Sequence, residues 1–166
     1  KIMKILVCGL PGSGKTWLAE RLVKHIGKCA WYNADFVRKS SNDWDFTKEG
    51  RIRQANRMRT FADFERSNGR WVVCDFVAPT EKAREAFAPD HVIWLDTIKE
   101  GRVVSSKLSA LKDIENLPFD ANSLSQSKEF EDTNKVFERP SKIDSHITYF
   151  MSDDEIKKLA VEIMNV

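Results

Sequence analysis

A glycine-rich octet near the start of the chain restricts its fold more than any other feature. It follows the apolar run Ile5 to Cys8, which is continuous, as is typical of a strand covered on both faces. It precedes apolar residues that repeat at helical spacing from Leu18 to Ile26. Its glycines and its Lys-Thr ending fit the Walker A spacing at every defined position, so the sequence predicts a phosphate-binding loop. The octet consists of Gly9, Leu10, Pro11, Gly12, Ser13, Gly14, Lys15 and Thr16.

The residue types of this loop suit a nucleoside triphosphate bound with magnesium. Glycines let backbone amides turn inward around an anion, and a helix that begins near Lys15 adds its amino-terminal dipole. We expect Lys15 to reach the β- and γ-phosphates and the Thr16 hydroxyl to join the magnesium shell. The Asn-Lys-x-Asp pattern that would favour guanine is not completed, because Asn134-Lys135 is followed by Val136 and Phe137. ATP and Mg²⁺ are therefore the predicted ligands.

Apolar runs and amphipathic segments alternate along the rest of the chain. Further strands are predicted at Cys29–Tyr32, Trp71–Cys74, Val92–Leu95 and Ile143–Thr148. Helices are predicted to begin after the capping residues Thr47, Thr80 and Ser152. This order predicts an α/β protein with a three-layer P-loop NTPase fold and a mainly parallel five-stranded sheet. Ligands are expected at the carboxyl ends of the strands.

Composition favours one domain inside the cell. The 166 residues, 42% of them hydrophobic, suffice for one core. A single P-loop kinase domain over residues 1–166 is therefore expected. A formal charge of +2 does not require a nucleic-acid or membrane partner. No apolar run is long enough for a membrane span, and Cys8, Cys29 and Cys74 lack metal-ligand spacing, which predicts reduced thiols in a cytoplasmic protein. A polar, aperiodic segment at about 105–138 is a candidate mobile lid.

Acidic residues at strand ends are the candidates for the chemistry. Phosphoryl transfer needs a group that orients the acceptor hydroxyl and groups that neutralise charge. Asp35 follows the second strand, where it could orient or deprotonate the acceptor, bind magnesium through water, or merely cap a helix. Asp75 and Asp96 both end apolar strands. Asp75 is favoured as the magnesium acid because the third strand is expected beside the first, and Asp96 is predicted to cap the next helix.

Four arginines crowd the helix that follows Thr47, on the side opposite its apolar face. They are Arg51, Arg53, Arg57 and Arg59. A solvated charged face is the usual interpretation of such a run. In the functional interpretation one or two of them, above all Arg51 at the helix start, point toward an anionic acceptor.

The chain resembles the adenylylsulfate (APS) kinase family, which phosphorylates the ribose 3′-hydroxyl of adenylylsulfate. The family's GLSGAGKT-like loop matches residues 9–16, although many kinases share it. The family's DGDNxR motif corresponds to Asn33-Ala34-Asp35-Phe36-Val37-Arg38, which keeps the second acid and the arginine. The DLGF-SxxDR pattern corresponds to residues 43–51, with Phe46 and Arg51 at the matching places.

Later motifs extend the resemblance and also depart from it. The family's SFISP stretch corresponds to Asp75-Phe76-Val77-Ala78-Pro79, where aspartate replaces serine, and its FTGIDSPYEAP can be laid over residues 130–140. The family's lid arginine would fall near Ser105 and is absent from this chain. The resemblance implies that Asp35 is the catalytic carboxylate, which would act together with the loop lysine, Lys15. It also implies that Arg38, Phe46, Arg51 and Phe130 bind a nucleotide-like acceptor.

Three functions stay open at this point. The first is phosphorylation of adenylylsulfate. The second is phosphorylation of a hydroxyl on nucleic acid, such as a 5-hydroxymethyl pyrimidine in DNA or a polynucleotide end, with Trp44 and Phe46 stacking a base beside the arginine-rich helix. The third is an ATP-binding module without catalysis, which the joint presence of Lys15, Thr16, Asp35 and Asp75 disfavours. No membrane partner is expected, and a homodimer is compatible with the sequence.

Overall fold

The computed structural model describes residues 1–100 and 133–166, and within them the strands form one parallel sheet. The strands are β1 (Lys4–Gly9), β2 (Cys29–Asn33), β3 (Trp71–Asp75), β4 (His91–Leu95) and β5 (Ser145–Ile147). Their order in the five-stranded sheet is β2-β3-β1-β4-β5, and every neighbouring pair is parallel. The α/β fold with a parallel five-stranded sheet is therefore confirmed, as is the prediction that the third strand lies beside the first.

Helices cover both faces of the sheet. They are α1 (Lys15–Ile26), α2 (Ala34–Ser41), α3 (Lys48–Ser67), α4 (Glu81–Phe87), α5 (Thr133–Val136) and α6 (Asp153–Met164). The three predicted caps are confirmed: Thr47, Thr80 and Ser152 each accept a hydrogen bond from a first-turn amide. Residues 105–132 of the candidate lid, Phe130 among them, lie outside the described residues.

Two apolar layers hold the three-layer arrangement together. One lies between the sheet and the helices α1 and α6, and its buried members include Leu18, Leu22 and Ile156. The other lies between the sheet and the helices α3 and α4, with Met58 and Phe87 fully buried. The three cysteines are free and buried, as expected from the sequence. No helix in residues 1–100 or 133–166 is both long and apolar enough to cross a membrane.

The register of the sheet gathers polar residues at one edge. In the parallel ladders Asn33 lies opposite Asp75, and Asp75 lies opposite Val7 of the central strand. Gly9, the first residue of the octet, pairs with Leu95 at the end of β4. Because all strands point the same way, their carboxyl ends meet at this edge. The loop that follows β1 and the acid that ends β3 are thereby brought side by side.

Candidate active site

The loop between β1 and α1 forms a cradle of backbone amides. Gly12 and Gly14 have φ of 88° and 97°, a left-handed conformation that favours glycine. The hydroxyl of Thr97 donates to the carbonyl of Ser13 at 2.7 Å, which fixes the loop to the chain that leaves β4. Helix α1 has no side-chain cap at its amino terminus, where Gly14 stands. Its first amides therefore remain available to an anion, as the sequence predicted.

Lys15 lies within this cradle. Its ammonium donates to the carbonyl of Leu10 at 3.0 Å, so the side chain folds back over the loop that it belongs to. Burial lowers the pKa of Lys15, and the negative charges of Asp75 and Asp35 oppose that shift. Both carboxylates are thus close enough to act on the lysine electrostatically.

Asp75 is the centre of a hydrogen-bonded cluster beside the cradle. Its Oδ1 accepts from the indole of Trp31 at 2.7 Å, and its Oδ2 accepts from the amide of Asn33 at 3.0 Å. The hydroxyl of Thr16 donates to the same Oδ2 at 3.3 Å. Asn33 also donates to the Thr16 oxygen at 3.3 Å, so it bridges the two candidate magnesium ligands. No motif or spacing in the sequence predicted roles for Trp31 and Asn33.

Burial governs the electrostatics of this carboxylate. Asp75 is only 2% exposed, and burial raises its pKa to about 6. The hydrogen bonds from Trp31 and Asn33 and the charge of Lys15 oppose the rise, whereas the charge of Asp35 adds to it. A nearby cation would hold Asp75 in its ionised form at neutral pH.

The donor set at this point fits magnesium. A carboxylate and a hydroxyl oxygen are ligands that Mg²⁺ accepts, together with phosphate oxygens and water. Across residues 1–100 and 133–166 no cluster of three or more His, Cys, Asp or Glu side chains could hold a metal ion. Phosphates and water would therefore complete the shell begun by Thr16 and Asp75. Asp96, the other candidate acid, is instead 2.9 Å from His146, and it is not among the described residues that line the cavity.

One cavity of about 560 Å³ joins the loop to the predicted acceptor residues. Its described lining includes Gly12, Gly14, Lys15, Thr16 and Asp75 on the loop side, and Asp35, Arg38, Phe46 and Arg51 on the other. Asp35 lies in the first turn of α2 and is exposed to the cavity. The cap of α2 is Asn33, whose side chain accepts from the amide of Phe36 at 3.1 Å. The alternative role of Asp35 as a helix cap is therefore filled by another residue.

The two arginines of the acceptor side differ in their surroundings. Arg38 is 5% exposed, and burial lowers its pKa to about 10 against the opposing charges of Asp43 and Asp35. Its guanidinium carbon lies 4.4 Å from the centre of the Phe46 ring. Arg51 is half-buried and donates to the carbonyl of Phe46 at 2.9 Å. Arg38 thus contacts the ring of Phe46, and Arg51 contacts its backbone.

The other arginines of α3 are paired with acids, which the spacing alone did not reveal. Arg53 and Arg57 both donate to the carboxylate of Asp43, at 2.7 and 2.9 Å. Arg59 contacts Asp63 at 3.4 Å. The predicted solvated face is therefore a row of ion pairs.

Comparisons with known proteins agree with this geometry. The family model described as "AAA domain" matches residues 5–103, more than half of the chain. A curated relative, the "Probable adenylyl-sulfate kinase" of Aeropyrum pernix, is 36% identical over 85 residues. That match covers 48% of this chain and 46% of the relative, so it spans about half the length of either protein. The resemblance to adenylylsulfate kinases seen in the sequence motifs is thus confirmed.

Solved structures of other proteins share the fold of this chain. The APS kinase CysC of Mycobacterium tuberculosis, solved in complex with AMPPNP and APS, superposes with a TM-score of 0.70 at 20% identity, covering 100% of this chain and 99% of that one. A sugar kinase from Janibacter sp. superposes with a TM-score of 0.62 at 13% identity, covering 100% and 96%. At these identities the likeness establishes the fold. With its phosphate-binding loop, its parallel sheet and the match to more than half of its length, the chain belongs to the AAA domain family of P-loop proteins.

Proposed function

We propose that this chain is an ATP- and Mg²⁺-dependent kinase that transfers the γ-phosphoryl group of ATP to the 3′-hydroxyl of adenylylsulfate. One observation carries the proposal: the loop residues Lys15 and Thr16 and the exposed carboxylate of Asp35 line the same cavity of about 560 Å³. A hydroxyl held near Asp35 would face phosphates held by the loop, which is the arrangement that phosphoryl transfer requires.

The loop side of the cavity would hold the triphosphate. Amides at the start of α1 and the Lys15 ammonium would bind the β- and γ-phosphate oxygens. Thr16 and Asp75 would hold magnesium, which when bound supplies positive charge to the phosphate oxygens as negative charge develops on them. Trp31 and Asn33 orient Asp75 for this task through their hydrogen bonds.

The acceptor side would carry out the proton transfer. The Asp35 carboxylate accepts the proton of the acceptor hydroxyl as that oxygen bonds to the γ-phosphorus. The bond from the γ-phosphorus to the β–γ bridging oxygen breaks in the same displacement, and ADP leaves. Arg38 and Arg51 would neutralise the anionic groups of the acceptor, and Phe46 would pack against its planar part.

Adenylylsulfate is favoured among acceptors by two facts. The curated relative is named a probable adenylyl-sulfate kinase. Among residues 1–100 and 133–166, the arginines that line the acceptor side are Arg38 and Arg51, whereas Arg53 and Arg57 are paired with Asp43. A polynucleotide backbone would require a longer row of cations. We also propose that the protein is located in the cytoplasm, because its buried cysteines Cys8 and Cys74 are free thiols, as is usual in that reducing compartment.

A transfer assay with parallel acceptors tests this function. The protein is incubated with γ-labelled ATP and Mg²⁺ and offered either adenylylsulfate or duplex DNA that bears hydroxymethyl pyrimidines. We expect label on adenylylsulfate, and its loss in both Lys15→Ala and Asp35→Ala. Label only on DNA would replace the proposed acceptor with a nucleic acid. Label on neither acceptor, with ATP still bound, would refute the adenylylsulfate assignment.

A further inference from the structure

The short segment 43–46 carries Phe46 to the wall of the cavity. It joins α2 to α3 and consists of Asp43, Trp44, Asp45 and Phe46. These residues belong to neither a helix nor a strand, so no regular ladder of backbone hydrogen bonds fixes them. Apart from the bond that the Asp43 amide donates to the Arg38 carbonyl, the contacts that fix the segment are made largely by side chains.

The carboxylate of Asp43 anchors the start of this segment to α3. Its Oδ2 accepts from Nε of Arg53 at 2.7 Å and from Nη2 of Arg57 at 2.9 Å. Its Oδ1 accepts from Nη2 of Arg53 at 3.0 Å and from the amide of Asp45 at 3.3 Å. The hydrogen bonds from Arg53 hold the pKa of Asp43 well below its usual range. The carboxylate is thus ionised at neutral pH and binds Arg53 in a bidentate manner.

Arg38 links the backbone of the segment to α2. Its Nη1 donates to the carbonyl of Asp43 at 2.8 Å and to the carbonyl of Asp45 at 3.2 Å. The same guanidinium lies over the Phe46 ring, and Arg51 donates to the Phe46 carbonyl. A continuous set of contacts therefore runs from Asp43 to the ring and backbone of Phe46.

Close packing leaves the segment little freedom to move toward α3. A Cβ atom placed on Gly50, in the first turn of α3, would collide with the carbonyl oxygen and the side chain of Asp45. The segment thus lies directly against the helix, in the space that glycine leaves. The amide of Thr47, next along the chain, donates to the Asp45 carboxylate at 2.9 Å.

We propose that Asp43, together with Arg53 and Arg57, is a positioning group that fixes Phe46 and Arg38 on the acceptor side of the cavity. The inference rests on the proposed function, because the acceptor side is defined by it. Asp43 is not among the described residues that line the cavity, so it acts through Phe46 and Arg38. The arginine-rich helix α3 then serves chiefly to order the acceptor side of the cavity, and two of its arginines are neutralised by Asp43.

Arg53→Gln tests the proposal, and Arg59→Gln is its matched control. Both arginines lie on α3, both side chains are 48% exposed and both pair with an aspartate, but only Arg53 contacts the segment 43–46. Exchange of amide hydrogens in residues 43–47 is measured by mass spectrometry for each variant. We expect exchange to be faster by roughly threefold to tenfold in Arg53→Gln, the range for losing charge-assisted bonds at a partly exposed site. Arg59→Gln should match the wild type.

Kinetics separate positioning from general destabilisation. In Arg53→Gln, and more strongly in Asp43→Asn, the KM for adenylylsulfate should rise by about the same factor as the exchange rate, while the KM for ATP stays unchanged. Unchanged exchange in residues 43–47 of Arg53→Gln, or equal changes in Arg59→Gln, would overturn the proposal. Faster exchange with an unchanged KM for adenylylsulfate would also overturn it. If the wild type does not phosphorylate adenylylsulfate, the acceptor assignment has failed, and the exchange measurement decides whether Asp43 orders the segment 43–46.

Discussion

At the scale of single residues, Lys15 and Asp75 depend on one another for their charge. Asp75 is buried and Lys15 is half-buried, which disfavours the ionised form of each, and the charge of each favours the ionised form of the other. Neither residue is therefore equivalent to an ordinary surface lysine or aspartate. The Walker A spacing predicted Lys15 and the end of an apolar strand predicted Asp75, but their mutual dependence follows from the sheet register.

Removal of the Lys15 charge should abolish transfer without unfolding the protein. Lys15→Ala loses the ammonium that would neutralise charge on the transferring group, and groups of this kind contribute roughly 100-fold to 1000-fold to kcat. We expect a fall of that order in the label transferred, with thermal unfolding close to that of the wild type. Lys24→Ala, an exposed lysine in the last turn of the same helix, is the control and should keep its activity. Full activity in Lys15→Ala would show that the Lys15 ammonium does not act on the transferring phosphate.

Asp75 gives the metal-free protein a distinct pH dependence of stability. Its pKa is about 6 in the folded state, and an unfolded chain has a value near 3.9 for aspartate. Between about pH 4 and pH 6 the folded state therefore binds more protons than the unfolded state, so the free energy of unfolding falls as the pH rises. Over about two pKa units the loss is on the order of 3 kcal/mol.

Urea unfolding at a series of pH values, without magnesium or nucleotide, measures this contribution. Asp75→Asn should flatten the fall between about pH 4 and pH 6, because the amide does not ionise. Glu162→Gln, at an exposed position of α6, serves as the control and should keep the slope of the wild type. The same slope in Asp75→Asn and the wild type would contradict the attribution to this carboxyl.

At the scale of helices and strands, local signals predicted most of the described elements and missed two helices, α2 and the four-residue α5. Apolar runs placed the strands within one or two residues, and Thr47, Thr80 and Ser152 marked the helix starts correctly. The helix α2 was missed because its eight residues are mostly polar and show too few apolar repeats. Asn33 before Ala34 was a usable capping signal for it.

The caps of two helices on opposite faces of the sheet should differ in their effect on function. Thr47 caps α3 beside the acceptor side of the cavity, and Ser152 caps α6 on the opposite face of the sheet. Replacement of either residue by alanine should lower the free energy of unfolding by about 1 kcal/mol, the usual cost of losing a cap. Only Thr47→Ala should also raise the KM for the acceptor, because the first turn of α3 packs against Asp45. Urea unfolding and steady-state kinetics check both parts. Equal KM values for the acceptor in the two variants would argue against coupling between the α3 cap and the acceptor side of the cavity.

At the scale of the whole molecule, strand order decides which residues share the site. The order β2-β3-β1-β4-β5 places the strand that ends in Asp75 between Asn33 and the loop after β1. The alternation of strands and helices predicted a parallel sheet with ligands at its carboxyl edge. The contact of Asp75 with Trp31 joins residues on two different strands, and that of Asp43 with Arg53 joins the segment 43–46 to the helix that follows it. No local periodicity encodes such contacts, so they required the folded structure.

In the proposed reaction Asp35 acts on the acceptor hydroxyl opposite a phosphate held by the loop. The most direct test measures label transfer from γ-labelled ATP to adenylylsulfate at saturating concentrations of both, for the wild type and Asp35→Asn. We predict that kcat falls by about 100-fold to 10,000-fold, the contribution typical of a general base, while the affinity for ATP is unchanged. Transfer by Asp35→Asn at the rate of the wild type would contradict the account.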